Sequence, residues 1–207
     1  MHYIIPARKE SKGVPFKNRN LFRHTADIIP KKLYENTIVS TDDEYIAKFA
    51  NKYNFKVHNR SKLNSSDTAS TRDFLVEVIR DMHISGQICM LYLTYPERTW
   101  TDVTDAIKFF KEQNAKSLLC REEIETHPYV CMYECENFRG RQIVKHDLCR
   151  RQEYPKCFKV CHKIAILHCE EIHRLNSNIY NSETVFFPVR TTLDIDTFSD
   201  LNKLNNN

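Results

Sequence analysis

Glycine is scarce in this chain, with only Gly13, Gly86 and Gly140 among 207 residues. Each is therefore expected where the backbone needs a freedom that other residues lack. The Gly-x4-Gly-Lys-Ser/Thr spacing of a Walker A loop is absent, which excludes that mode of phosphate binding. Long hydrophobic runs are missing too, so no membrane span is expected. The opening Met1-His2-Tyr3-Ile4-Ile5-Pro6 lacks a basic segment followed by an apolar core, and the expected location is cytoplasmic. Charge of one sign is in small excess, +4 overall. That suits an enzyme of anionic substrates and is too weak to indicate a nucleic-acid partner. Tight CxxC pairs are lacking among the eight cysteines. Cys131-x3-Cys135 and Cys157-x3-Cys161-His162 have looser spacing, and strand alternation would turn Cys161 away from His162. Reduced cysteines acting as small core hydrophobes are the expectation.

What is present is a βαβ rhythm. Residues 3–5, 37–39, 55–57, 88–93 and 117–120 read as strands, the run at 88–93 continuously apolar as in a parallel sheet covered on both faces. Between them lie amphipathic helical patterns. Thr41-Asp42-Asp43-Glu44 fits a capping box before Ile46, Ala50 and Tyr53. Ser70 or Thr71 caps a helix with a stripe of Leu75, Val78, Ile79 and Met82, and Thr99 or Thr101 opens another with Val103, Ile107 and Phe110 facing the sheet. Trp100 and the Phe109-Phe110 pair read as core. Strands are expected again at 129–134, 159–167 and 192–195, then a short helix from Thr197 and a frayed tail from Leu204. The pattern predicts one α/β domain with three α/β/α layers around a mainly parallel sheet. A polar, basic insert at about 125–160 interrupts it.

The loop after the first strand, Ala7-Arg8-Lys9-Glu10-Ser11-Lys12-Gly13-Val14-Pro15-Phe16-Lys17-Asn18, carries the chemistry. Open α/β sheets bind ligands at the carboxyl ends of their strands. Lysine, arginine and turn N–H groups there can surround a triphosphate, although the same composition also fits a solvated basic turn. Asp194-x-Asp196 on a strand end would turn two carboxylates to one side, as a hard cation such as Mg²⁺ requires. A solvated strand end is the alternative, and the basic loop in the same chain favours metal.

These residues resemble those of a known family. The loop is similar to the ARxxSKGxPxKN signature of the CMP-sialic acid synthetases and their CMP-Kdo-type cytidylyltransferase relatives. Further matches follow in order: Val39 to Ala47 with VSTDDxxIA, Arg60 to Ser70 with RPxxLASDTAS, Thr94 to Thr99 with TSPLRT, Arg151 to Pro155 with RQ-x-x-P, and Leu193 to Thr197 with IDIDT. The resemblance implies a nucleotidyltransferase of Rossmann-like fold that joins CMP from CTP to a sugar acid, a sialic acid-like nonulosonic acid or Kdo, and releases pyrophosphate. It implies nucleotide contacts from Arg8, Ser11, Lys12, Lys17, Asn18, Arg60, Ser66, Asp67 and Thr68, with Arg8, Lys17 and Asp196 catalytic. Asp194 and Asp196 would hold Mg²⁺, and Tyr92, Arg98, Arg151 and Gln152 would face the acceptor. It further implies a homodimer formed through the insert. Tyr92 stands where the family carries glutamine, and Val130 where a lysine often follows the His-Pro pair. Those departures keep open a phosphonate or other small anionic acceptor. A catalytically retired nucleotide-binding module is a further alternative, against which Lys17, Asp194 and Asp196 speak.

Overall fold

Apolar runs alternating with amphipathic stretches fold here into strands backed by helices. The computed structural model describes residues 1–11 and 13–205. In chain order the strands are β1 (His2–Pro6), β2 (Thr37–Thr41), β3 (Lys56–Asn59), β4 (Gln87–Met90), β5 (Ser117–Glu122), β6 (Met132–Cys135), β7 (Arg139–Gln142), β8 (Lys159–His168) and β9 (Val185–Pro188). The helices are α1 (Lys17–Ala26), α2 (Glu44–Lys52), α3 (Lys62–Ser65), α4 (Thr71–Asp81), α5 (Trp100–Glu112) and α6 (Phe198–Asn205). Seven strands form one sheet in the order β3-β2-β1-β4-β8-β5-β9, and β6 pairs only with β7. Every pairing in the large sheet is parallel except those of β8, which runs antiparallel to both β4 and β5.

Two apolar layers sandwich the sheet. On one side Leu21, Phe22 and Ala26 of α1, Ile46 and Ala50 of α2, and Val103, Ala106 and Phe110 of α5 are buried against Ile5, Val39, Leu91 and Ile166. On the other, Phe74, Leu75 and Val78 of α4 join Ile172, Leu175 and Ile179 over Ile4, Ile38, Met90 and Leu167. This is the three-layer α/β/α arrangement that the sequence periodicity predicts. Trp100 packs on Tyr3 at 5.4 Å between ring centroids, and Phe110 is buried in the core as expected. Ser70 caps α4 by accepting from Asp73 N–H, and Thr99 with Asp102 makes a full capping box on α5.

Other expectations need correction. Asp43, not Thr41, caps α2. Thr41 is instead buried, donating its hydroxyl to Ala7 O. Strand β4 ends at Met90, because beyond Leu91, whose N–H still bonds Ile4 O, the chain turns out of the sheet. The segment at 192–195 forms no strand and meets the turn after β4 through the Ile195 N–H to Thr94 O bond. The tail does not fray at Leu204, which sits in α6 against the core, while Asn206 and Asn207 lie outside the described residues. Helix α1 and strand β9 have no counterpart in the sequence reading. Of the cysteines, Cys89, Cys120 and Cys161 are core hydrophobes, but Cys135, Cys149 and Cys157 are exposed. Those three lie in or beside the insert, where no apolar layer covers the chain.

Candidate active site

Strands β1, β2 and β4 run parallel, so the loops leaving their carboxyl ends converge on one edge of the sheet. There they enclose a cleft of about 600 Å³, within the usual size of a small-molecule site. Its walls bring together Arg8, Ser11, Lys17, Asn18, Arg60, Ser66, Asp67, Tyr92, Asp194 and Asp196, so ten of the expected site residues meet in one place.

The basic side is held by charged groups that pair with one another. Lys17, at the start of α1 and only 8% exposed, donates to Asp196 Oδ1 at 2.9 Å and to Ile195 O at 2.7 Å. Arg8 reaches Asp67 Oδ1 at 2.7 Å and Ser66 O at 3.3 Å, tying the basic loop to the turn after α3. Asn18 spends its amide nitrogen on Arg8 O, and Lys9 N–H donates to Asp42, so the loop is anchored at both ends. Gly13 is required by a close approach: a Cβ there would meet Asp196 O at 1.9 Å. Behind the loop, Arg19 forms a two-pronged pair with the buried Asp43 while stacking on Phe16. Burial alone would raise the Asp43 carboxyl, but the Arg19 bond and the Tyr45 N–H outweigh it and hold Asp43 below the usual range.

Arg60 lies over the Phe74 ring at 4.3 Å and donates from Nε to Ser40 Oγ. One of its terminal nitrogens, Nη2, is buried without a partner. Burial lowers its pKa to about 10, so at neutral pH it is still a cation.

Asp194 and Asp196 both line the cleft, and each raises the case for a cation. Tyr95 Oη donates to Asp194 Oδ2 at 2.7 Å, while Asp194 Oδ1 is buried with no hydrogen bond of ordinary geometry. Burial pushes Asp194 above its ordinary value, opposed by the Tyr95 and Thr94 side chains and reinforced by the nearby Asp196. A buried, orphaned carboxylate oxygen beside a second, open carboxylate is a donor set that fits Mg²⁺.

Four expected residues do not join the cleft. Thr68 is exposed and meets it only through a contact to Ser66 Oγ at 3.3 Å. Arg98 is 2% exposed and points into the protein, donating to Tyr92 O, Lys163 O and Thr25 Oγ1 at 2.8, 2.9 and 2.7 Å. It is a positioning residue beneath the site rather than an acceptor ligand. Arg151 and Gln152 stand exposed in the insert, and Arg151 lines a separate hollow of about 280 Å³ with His127, Tyr154 and Pro155. Lys12 lies outside the described residues. Sequence reasoning missed His162 and Tyr95, which also line the cleft. The available signal for the first was the polar His162-Lys163 pair breaking the apolar run of β8.

The cytidylyltransferase family model matches residues 2–192 of this chain. The chain belongs to the cytidylyltransferase family. Relatives include the N-acylneuraminate cytidylyltransferase of Streptococcus agalactiae serotype V, 25% identical over 209 residues that cover 95% of this chain and 50% of that protein. Another is the pseudaminic acid cytidylyltransferase of Campylobacter jejuni serotype O:2, 27% identical over 217 residues, covering 96% of this chain and 91% of the relative. This cytidylyltransferase-family chain thus spans about half the length of the streptococcal relatives it matches. Its fold is that of the CMP:2-keto-3-deoxy-manno-octonic acid synthetase solved with CTP, with a TM-score of 0.69 at 16% identity, over 99% of this chain and 96% of the other. Among the described residues no helix is long and apolar enough to cross a membrane.

Proposed function

We infer that this chain transfers CMP from CTP to a sugar acid of the nonulosonic or Kdo class. The acceptor hydroxyl oxygen forms a bond to the α-phosphorus, the bond to the β-phosphate oxygen breaks, and pyrophosphate and one proton leave. The observation that carries this reading is the cleft itself, in which three cations, Arg8, Lys17 and Arg60, face two carboxylates brought from the far end of the chain. The cations oppose the negative charge that grows on the departing phosphates. Lys17 also holds the Asp196 carboxylate beside the same cleft as Asp194, which supports the pair as the residues that would hold Mg²⁺. Bound there, Mg²⁺ would neutralise phosphate charge.

The wall formed by Tyr92, Tyr95 and His162, with the Arg60 charge acting on Tyr92, supports an acceptor that carries both hydroxyls and a carboxylate. The insert supports a homodimer: its β6–β7 hairpin leaves Met132, Tyr133 and Phe138 exposed, Phe138 fully so. The test is pyrophosphate release from CTP with Mg²⁺ across sialic, legionaminic, pseudaminic and Kdo acids and small phosphonates. Release with one sugar acid is expected. Release with a phosphonate alone would replace the acceptor class, and equal binding of ATP, GTP and CTP would remove the cytidine reading.

A further inference from the structure

Among the described residues outside the cleft, one cluster of side chains has the make-up of a metal-ligand set. His58 of β3 and Glu77 and Asp81 of α4 turn a ring nitrogen and two carboxylate oxygens to one point, all within 4.8 Å of one another. Glu77 and Asp81 are one helical turn apart and share a face of α4. That face meets His58, the one buried residue of β3. His58 Nε2 lies 3.3 Å from Asp81 Oδ2 and 3.8 Å from Glu77 Oε1. An N–H on that nitrogen can serve the nearer oxygen, but the farther one is beyond hydrogen-bond reach. A single proton therefore leaves Glu77 facing the ring unbonded, whereas a divalent ion engages all three atoms. Ligand atoms about 2.0–2.2 Å from a tetrahedral ion stand roughly 3.3–3.6 Å apart, close to the spacings found.

Each of the three groups is also held from behind. His58 Nδ1 lies 3.0 Å from Ser40 Oγ, and an Nδ1–H donated there leaves the Nε2 lone pair for a ligand bond. Glu77 Oε2 accepts from Ser61 Oγ and the Asn64 amide, while Oε1 accepts from the Ser61 N–H and keeps a second lone pair. Asp81 Oδ1 accepts from Arg80 Nε at 2.7 Å, which leaves Oδ2 turned to the cluster. Burial would raise the Glu77 carboxyl, yet its bonds from Asn64 and Ser61 hold it below the usual range, and the Arg80 bond does the same for Asp81. Both groups are therefore carboxylates at neutral pH, as metal ligands must be. Metal sites use outer partners of this kind to orient their ligands.

We propose that His58, Glu77 and Asp81 form a separate metal site, which takes a divalent ion of the zinc type with water completing its coordination. An imidazole ligand selects such an ion over Mg²⁺, which prefers oxygen ligands, so the site differs in metal as well as in place from Asp194 and Asp196. The ion clamps the edge strand β3 to α4. Its outer partners extend to the cleft: Ser40 Oγ also accepts from Arg60 Nε, and Arg60 and Asn64 both line the cleft. The clamp thus holds that wall from behind. This inference stands apart from the CMP-transfer reading and does not depend on it.

The experiment titrates Co²⁺ and Zn²⁺ into the full chain, reduced and freed of metal by a chelator, beside Asp81→Asn, His58→Gln and Ser40→Ala. Wild type should bind one equivalent more than Asp81→Asn or His58→Gln. That equivalent should give Co²⁺ the visible absorption of a four-coordinate ion without a thiolate charge-transfer band. Ser40→Ala removes only an outer partner and should weaken the binding roughly 10- to 100-fold. Zn²⁺ at about 100 times its Kd should raise the wild-type Tm by about 5–10 °C and that of Asp81→Asn far less. Asp81 is part-exposed, so its variant keeps the test intact even where His58→Gln fails to fold. Equal uptake by wild type and Asp81→Asn puts the metal on the cysteines instead and overturns the inference. So does a wild type that takes up no metal, in which the cluster is a proton-bridged ion pair. Displacement by an equal concentration of Mg²⁺ overturns the zinc-type assignment.

Discussion

The two walls of the cleft are built by opposite means. One side consists of charged residues on loops and at the start of α1 whose charges are already paired: Arg8 on Asp67, Lys17 on Asp196, Arg19 on Asp43. The other side presents the rings of Tyr92, Tyr95 and His162, from the turn after β4 and from β8, above a buried guanidinium that binds the backbone of both segments. On the CMP-transfer reading proposed above, the first side would take the triphosphate, since its cations can exchange a protein carboxylate for a phosphate oxygen, and the second would take the hydroxyl-bearing acceptor.

Lys17→Ala attacks the charged wall most directly. It should lower kcat by about 10²–10³-fold, the usual cost of removing one pre-positioned electrostatic stabiliser, while circular dichroism shows the fold retained. Wild-type turnover in that variant would end the assignment of the loop. Arg98→Met attacks the other wall from below. It leaves the Tyr92 and Lys163 carbonyls and the Thr25 hydroxyl short of their donor, and about 2–4 kcal/mol of stability should go with them in urea titration. If stability held, the staple would carry no weight and the rigidity of the wall above it would need another source.

Asp43→Asn separates the two walls by pH. Because the folded Asp43 carboxyl is held below its ordinary value of 3.8, its contribution is present above that value and fades as pH falls through the folded pKa. The variant should be about 1–3 kcal/mol less stable than wild type at pH 7, and the gap should narrow below about pH 4. A gap that persists unchanged in acid would show that the Arg19 pair is not its origin. The smallest effect is expected at the insert, where Phe138→Asp should move folding stability by less than about 0.5 kcal/mol. A shift towards monomer in sedimentation velocity is the expected accompaniment, and an unchanged association state would remove the hairpin from the dimer contact.

The basic side of the cleft was largely legible in the sequence because short-range rules governed it. A loop after a strand, a Ser70 or Thr99 cap and a paired carboxylate keep their meaning within a few residues. What escaped depends on pairing partners far away. Nothing local distinguishes β8 as antiparallel, and its apolar run reads equally as another parallel strand. Arg98 sits in a motif beside the cleft, and only the depth at which Thr25 and Lys163 lie turns it inward. The expected strand at 192–195 also depended on distant partners: the alternating sequence is there, but its backbone meets the turn after β4 through the Ile195 N–H to Thr94 O bond rather than a strand edge.

The contact between Lys17 and Asp196 spans 179 positions of the chain, and Gly13 seats against the backbone of the same distant segment. These two segments meet only because the sheet carries both ends of the chain to one edge, so the contact depends on the sheet being formed. The same geometry works in reverse. A fluctuation that peels the 193–205 segment from the basic loop would open the cleft while the seven-stranded sheet stayed whole, a local opening separable from global unfolding.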